Sequence, residues 1–221
     1  MYKSQSVENY LKAIGKLSNY GESPVLTNAI ASEMNTKAAS VTEMLKKLAD
    51  KKLIKHKPYY GVSLTVLGMQ QAMQVIRRHR LWELFLVQTL HFKWNEVHEI
   101  AEQLEHVQSE ELVSRIDSFL EHPEFDPHGD PIPDAKGKIP KRNVIELSSI
   151  AVNKEVELKA VTNHTDLFFQ HLENMGLKIG STLKIISKSD FDNSLKVKTR
   201  QHAEVFITHE VARHLLMKIK I

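Results

Sequence analysis

Residues 122–140, HPEFDPHGDPIPDAKGKIP, hold five of the seven prolines in this 221-residue chain. Proline fixes φ and lacks a backbone N–H, so neither a helix nor a central strand can run through such a stretch. The chain must therefore change structural character there. The residues before it carry apolar side chains at helical spacing, and those after it form short runs rich in β-branched residues. The expected fold class is mainly α with a β-rich C-terminal domain.

Val7, Tyr10, Leu11, Ile14 and Leu17 recur at intervals of three and four, which predicts a helix over 6–18. A Gly-Glu-Ser-Pro turn at 21–24 ends that pattern, and Thr27 reads as the N-cap of a second helix over 28–34. A third helix over 38–51 turns Val41, Leu45 and Leu48 to one side. Runs at 53–56 and 62–65, on either side of Lys57-Pro58-Tyr59-Tyr60-Gly61, predict a hairpin. Three helices followed by a small hairpin make a winged helix-turn-helix.

Charge points to the partner of this piece. Residues 1–60 carry 10 Lys/Arg against 5 Asp/Glu, a net of +5, which suits a polyanion; ordinary solvated surface charge is the alternative. In a helix-turn-helix the second helix enters the major groove, and side chains near its start reach base edges. Those positions are Thr36, Lys37, Ala39, Ser40 and Glu43. Lys46, Lys47, Lys51 and Lys52, with Lys55 and Lys57 on the wing, are placed to neutralise phosphates, and Tyr59 and Tyr60 to pack on the sugar-phosphate backbone. The expected partner is double-stranded DNA.

Residues 61–140 reverse the balance, with 7 Lys/Arg against 13 Asp/Glu, a net of −6. Few breakers interrupt 65–87 and 94–120, so both are predicted to be helical. On the second, His98, Glu102, Glu105 and His106 fall at i, i+4, i+7 and i+8, one stripe of a helix. His79 and Glu83 repeat the i, i+4 spacing on the first. Imidazoles and carboxylates on two antiparallel helices can converge on one or two divalent cations, whereas carboxylates clustered without a metal repel one another. A solvated acidic face is the bland alternative. The chain has no cysteine, which excludes disulfides, thiolate metal sites and cysteine nucleophiles and leaves only nitrogen and oxygen ligands.

Beyond the prolines, strands are expected at 144–147, 157–161, 182–187, 195–199 and 204–207, with a helix over 166–175, together a small barrel. The organisation expected is 1–65, a DNA-binding domain; 66–140, a helical metal-binding and dimerisation domain; and 141–221, a small SH3-like domain. No apolar run is long enough to span a bilayer, and the N-terminus MYKSQSVENY lacks the apolar stretch of a signal peptide. A soluble cytoplasmic protein with no membrane partner is expected.

The segments SVENYLKAI, RRHRLWELFL, EVHEIAEQLEHV and HPEFDPHGDPIP resemble the metal-dependent repressors of the diphtheria toxin repressor and manganese transport regulator family. The likeness runs closely over about 140 residues and more loosely through the final, FeoA-like domain. It implies a homodimer that takes Mn(II) or Fe(II) as co-repressor and then binds an operator upstream of metal-uptake genes. It also implies that Glu102, Glu105 and His106 match the regulatory site, with Asn9 where members carry a methionine or an aspartate. His79, Glu83 and His98 match the ancillary site. Asp126 and His128 match ligands that the proline segment supplies in some manganese-responsive members, and Asp166 matches a ligand from the last domain. Glu102 stands where iron-responsive members have cysteine, and a hard carboxylate there favours Mn(II).

Two other classes compete. A metallohydrolase would use the same donors to activate water, but no nucleophile motif or phosphate loop of the form GxxxxGK[ST] accompanies them, so no enzyme is expected. A metal-independent winged-helix regulator would leave the acidic stripe as surface.

Overall fold

The computed structural model describes residues 4–57, 60–200 and 204–220. Helical spacing places Val7, Leu11 and Ile14 on the buried face of α1 (Gln5–Leu17). Against it pack Ile30 of α2 (Thr27–Glu33) and Val41, Leu45 and Leu48 of α3 (Ala38–Asp50). Thr27 is the first helical residue and not the cap. Leu26 takes the cap position, and its carbonyl already accepts from the N–H groups of Ala29 and Ile30, so the helix starts one residue early.

The wing is β1 (Ile54–Lys57) paired antiparallel with β2 (Gly61–Leu64). Val25 and Val62 exchange both backbone hydrogen bonds, at 2.9 and 2.8 Å, which ties the wing to the segment before α2. Gly61 makes this approach feasible: its φ is +99°, and a Cβ there would lie 2.6 Å from the Val25 carbonyl oxygen.

Next come α4 (Val66–Leu90), α5 (His98–Leu104) and α6 (Glu110–Phe119). The single helix expected over 94–120 is thus a turn and two helices. Just past the end of α5 the Arg78 guanidinium donates to the Glu105 carbonyl, and α6 starts afresh at Ser109, whose hydroxyl accepts from the Leu112 N–H. Glu105 keeps its helical bond to Ala101 (2.8 Å), while His106 lies in the turn.

The C-terminal elements are β3 (Ile145–Glu146), a short 3-10 turn (Leu147–Ser149), β4 (Glu155–Val161), α7 (Asp166–Asn174), β5 (Thr182–Lys188), β6 (Leu195–Thr199), β7 (Glu204–Ile207), α8 (His209–Arg213) and β8 (Leu215–Ile219). Every pairing is antiparallel, in the order β3-β8-β4-β5-β6-β7. Leu158, Phe169, Leu183, Val197, Leu215 and Met217 build its core. This is the expected small SH3-like domain, with α8 and β8 added to the expected elements.

By contact the chain divides into two compact units. One comprises the described residues of 1–82, 100–122 and 132–139; the other comprises those of 83–99, 123–131 and 140–220. The proline-rich stretch is built into both. In the first unit Ile132 is buried, Arg77 donates to the Pro133 carbonyl at 2.6 Å, and Asp134 accepts the N–H groups of Lys138 and Lys136. Those backbone bonds, Lys138 foremost, hold the Asp134 carboxyl below the usual range. No helix among the described residues is long and apolar enough to cross a membrane.

Gly61→Ala should lower the melting temperature by several degrees, since it adds a backbone clash to a left-handed conformation costing about 1–3 kcal/mol. Thermal denaturation followed by circular dichroism reads this directly, and an unchanged midpoint would show that the wing relaxes around the added methyl.

Candidate metal centre

In the first unit, α1, α4 and the end of α5 converge on buried charge. His79 Nδ1 lies 2.7 Å from Glu105 Oε2 and 3.9 Å from Glu102 Oε1. One donor atom from each of the three lies within 4.8 Å of the others. His79 and Glu105 are buried, while the Glu102 side chain is 35% exposed. Between the carboxylates sits Lys12 from α1, its Nζ 2.6 Å from Glu102 Oε1 and 2.7 and 2.8 Å from the two oxygens of Glu105.

One turn earlier on α1, Glu8 is buried and accepts from Arg78 Nη2 at 2.7 Å and Gln108 Nε2 at 3.1 Å. His106 Nδ1 is 2.7 Å from its other oxygen. An Nδ1–H donated to Glu8 leaves the Nε2 lone pair available, 3.9 Å from Glu105 Oε1. A carboxylate behind a histidine is the arrangement that fixes a ligating imidazole. Asn9 Oδ1 is buried and has no hydrogen-bond partner among the described residues.

Sequence spacing grouped His98, Glu102, Glu105 and His106 on one stripe and His79 with Glu83, while the family resemblance set Glu102, Glu105 and His106 apart from His79, Glu83 and His98. The fold also brings His79 to Glu102 and Glu105, and it turns His106 toward Glu8 because the helix ends at Leu104. Glu8, Lys12 and Arg78 were not among the expected site residues. The sequence carries little signal for them: Glu8 and Lys12 are opposite charges at i, i+4, a spacing shared by any pair on a helix surface.

The second unit holds its own group, in which Glu83, Asp126 and His128 are all buried with donor atoms within 4.8 Å. Glu83 Oε1 is 3.1 Å from His98 Nδ1, and Glu83 Oε2 is 3.8 Å from His128 Nδ1. His128 Nε2 lies 2.7 Å from the Trp94 carbonyl, and as its donor leaves Nδ1 as the acceptor that faces Glu83. The Phe169 ring stacks on the imidazole, with centroids 4.8 Å apart. Asp126 Oδ1 accepts from the N–H groups of His128 (2.8 Å) and Asp130 (2.9 Å), so this carboxylate folds the loop as well as facing the group. Asp166 is exposed in the first turn of α7 and joins none of these groups, since a helix N-terminus suits its charge in water.

Thr36, Lys37, Ala39, Ser40, Glu43 and Lys47 are all exposed, on or just before α3. Lys57 is exposed at the end of β1, its Nζ 4.1 Å from the centroid of the Tyr60 ring. Tyr59 lies outside the described residues.

A winged helix carrying exposed basic residues, joined to buried clusters of imidazole and carboxylate, defines a metal-responsive DNA-binding protein. Comparison with known proteins gives the family. Residues 3–62 match the iron-dependent repressor N-terminal DNA-binding domain, residues 65–134 the iron-dependent repressor metal-binding and dimerisation domain, and residues 145–218 the FeoA domain. The chain is 34% identical over 118 residues to an uncharacterised helix-turn-helix transcriptional regulator of Methanocaldococcus jannaschii, covering 53% of this chain and 94% of that one. It is 33% identical over 128 residues to the iron-dependent repressor IdeR of Mycobacterium leprae, 58% of this chain and 55% of that repressor's length. Among solved structures, a manganese-dependent transcriptional repressor in complex with manganese superposes with a TM-score of 0.87 at 30% identity, covering 97% of this chain and 100% of the other. The chain belongs to the diphtheria toxin repressor and manganese transport regulator family of metal-dependent transcriptional repressors.

Glu8→Ala strips the buried Arg78 guanidinium of its carboxylate, and an uncompensated buried charge costs about 3–5 kcal/mol. Urea denaturation should register a loss of that order, whereas a change below about 1 kcal/mol would mean that Arg78 finds another partner.

Proposed function

We propose that this chain represses transcription of metal-uptake genes by binding operator DNA as a homodimer, with Mn(II) the preferred co-repressor and Fe(II) the second choice. The observation that carries the reading is the trio of buried His79 and Glu105 with half-buried Glu102, set against the first helix of the winged domain. Its donors suit a divalent first-row ion, and two carboxylates without sulfur favour Mn(II). The group accommodates positive charge, as the Lys12 ammonium between its carboxylates attests.

In this reading His79, Glu102, Glu105 and His106 would hold the ion, Asn9 would offer from α1 an oxygen that has no partner among the described residues, and Glu8 would orient His106. Glu83, His98, Asp126 and His128 form the second group, and exposed Asp166 is left out. A bound cation supplies the charge that lets Glu102 and Glu105 lie together against α1. Fixing α1 fixes the winged domain that α1 opens, and by linkage the ion and DNA strengthen each other's binding by the same factor.

The segments then divide the work: 1–65 reads DNA, 66–140 binds metal and dimerises, and 141–221 is the SH3-like appendage. Exposed apolar side chains at Val66, Leu67 and Phe119 suit a contact between copies. Thr36, Lys37, Ala39, Ser40 and Glu43 face base edges, and Lys47, Lys57 and Tyr59 meet the backbone of the duplex. The relatives named above are transcriptional regulators, so no catalytic turnover is assigned, and the place of action is the cytoplasm, where the operator lies. One observation favours a second reading, a metal-independent regulator: Lys12 already neutralises part of the acidic trio.

Fluorescence anisotropy of a labelled fragment from upstream of a metal-transporter gene separates the two readings. With Mn(II) or Fe(II) at fixed salt the affinity should rise at least tenfold over chelator, and Mg(II) should do little. Glu105→Gln should abolish that rise while keeping the circular dichroism spectrum. Equal binding in chelator would hand the case to the metal-independent reading. Lys47→Ala should weaken binding to all sequences alike and reduce the slope of log K against log salt by about 1. An unaltered slope would take Lys47 off the phosphates.

A further inference from the structure

We infer that Lys12 is the resident counter-cation of the His79, Glu102 and Glu105 group, holding the place of a divalent ion between the two carboxylates and setting the concentration at which one enters. The inference rests on the co-repressor reading and adds to it a regulatory residue on α1.

Three observations carry it. The Lys12 ammonium contacts both carboxylates at 2.6 to 2.8 Å, bridging Glu102 Oε1 and both oxygens of Glu105. Its side chain is only 7% exposed, although a lysine on a helix ordinarily reaches water. Its neighbour Leu11 and residue Ile14 are fully buried, so the backbone that carries Lys12 is fixed and only its four-carbon stem can swing.

Exclusion arises from charge. An ammonium and a dication that share the same carboxylate oxygens sit within a few ångströms of each other, where like charges in a poorly solvated site repel strongly. Entry of a divalent ion is therefore an exchange, in which the ammonium leaves Glu102 and Glu105 as the ion arrives. Without metal the ammonium relieves the repulsion between the carboxylates and ties α1 to the end of α5.

The test is Mn(II) binding to the full chain, followed by the electron paramagnetic resonance signal of the free ion. A His128→Ala background isolates the first-unit group, and anisotropy on operator DNA is measured in parallel. Lys12→Met should bind Mn(II) at least tenfold more tightly than the parent. In chelator it should melt lower, and it should gain more on addition of Mn(II). Lys12→Arg, which keeps the charge, should bind no more tightly than the parent. If Lys12→Met is unfolded in chelator, Lys12→Gln takes its place with the same expectation for affinity. Unchanged affinity in the neutral variant, with Mn(II) still stimulating DNA binding by the parent, overturns the role of Lys12 and leaves the co-repressor reading standing. Mn(II) bound by the neutral variant but not by the parent upholds the exclusion and sinks the co-repressor reading. Binding by neither overturns both.

Discussion

The first unit is organised by the buried ion pairs that α1 makes with residues from much later in the chain. Glu8 reaches Arg78, His106 and Gln108, and Lys12 reaches Glu102 and Glu105. Burying any one of these charges alone would cost several kcal/mol, so each is tolerable only while its partners are in place. The pairs therefore specify how α1 meets α5 more stringently than the apolar face of α1 does, because leucine and isoleucine can slide where a buried carboxylate cannot. Arg78 strengthens this by donating both to the Glu8 carboxylate and to the Glu105 carbonyl just past α5.

The same ion pairs set the surroundings of His79, Glu102 and Glu105. Any ion bound among His79, Glu102 and Glu105 must take up charge relationships that already involve the winged domain through α1. α1 thus belongs both to the winged domain and, through Glu8 and Lys12, to the surroundings of this group. The second group is independent in construction: its geometry comes from a loop that Asp126 folds with its own carboxylate and from a histidine held by the Trp94 carbonyl and the Phe169 ring.

Much of the fold was legible in the sequence, and the exceptions share a cause. The spacing of Val7, Leu11 and Ile14, and of Val41, Leu45 and Leu48, reports burial directly, so α1 and α3 and the wing could be read from local pattern alone. The break after Leu104 could not, because the Glu105 carbonyl beyond it is satisfied by Arg78, 27 residues away, a partner that no local pattern reveals. β8 escaped for a related reason: LLMKI comes after a helical turn, and only its pairing between β3 and β4 makes it a strand. At the site, residue types and the family likeness singled out the carboxylates and histidines, but Lys12 looks like any solvated lysine until the fold supplies its partners. His79 shows the limit of spacing: i, i+4 relates it to Glu83, while tertiary structure also brings it to Glu105.

The exposed start of α3 has a consequence of a different kind. Thr36, Ala38, Ala39 and Ser40 are short side chains with few rotatable bonds, and all are exposed. A surface of this type loses little rotamer entropy when covered, but it cannot extend to meet a distant partner. Recognition through it requires the helix backbone itself to come close to the floor of the groove, so discrimination falls on shape and on methyl contact as much as on hydrogen bonds. A surface of this kind tolerates little misalignment with whatever it is pressed against.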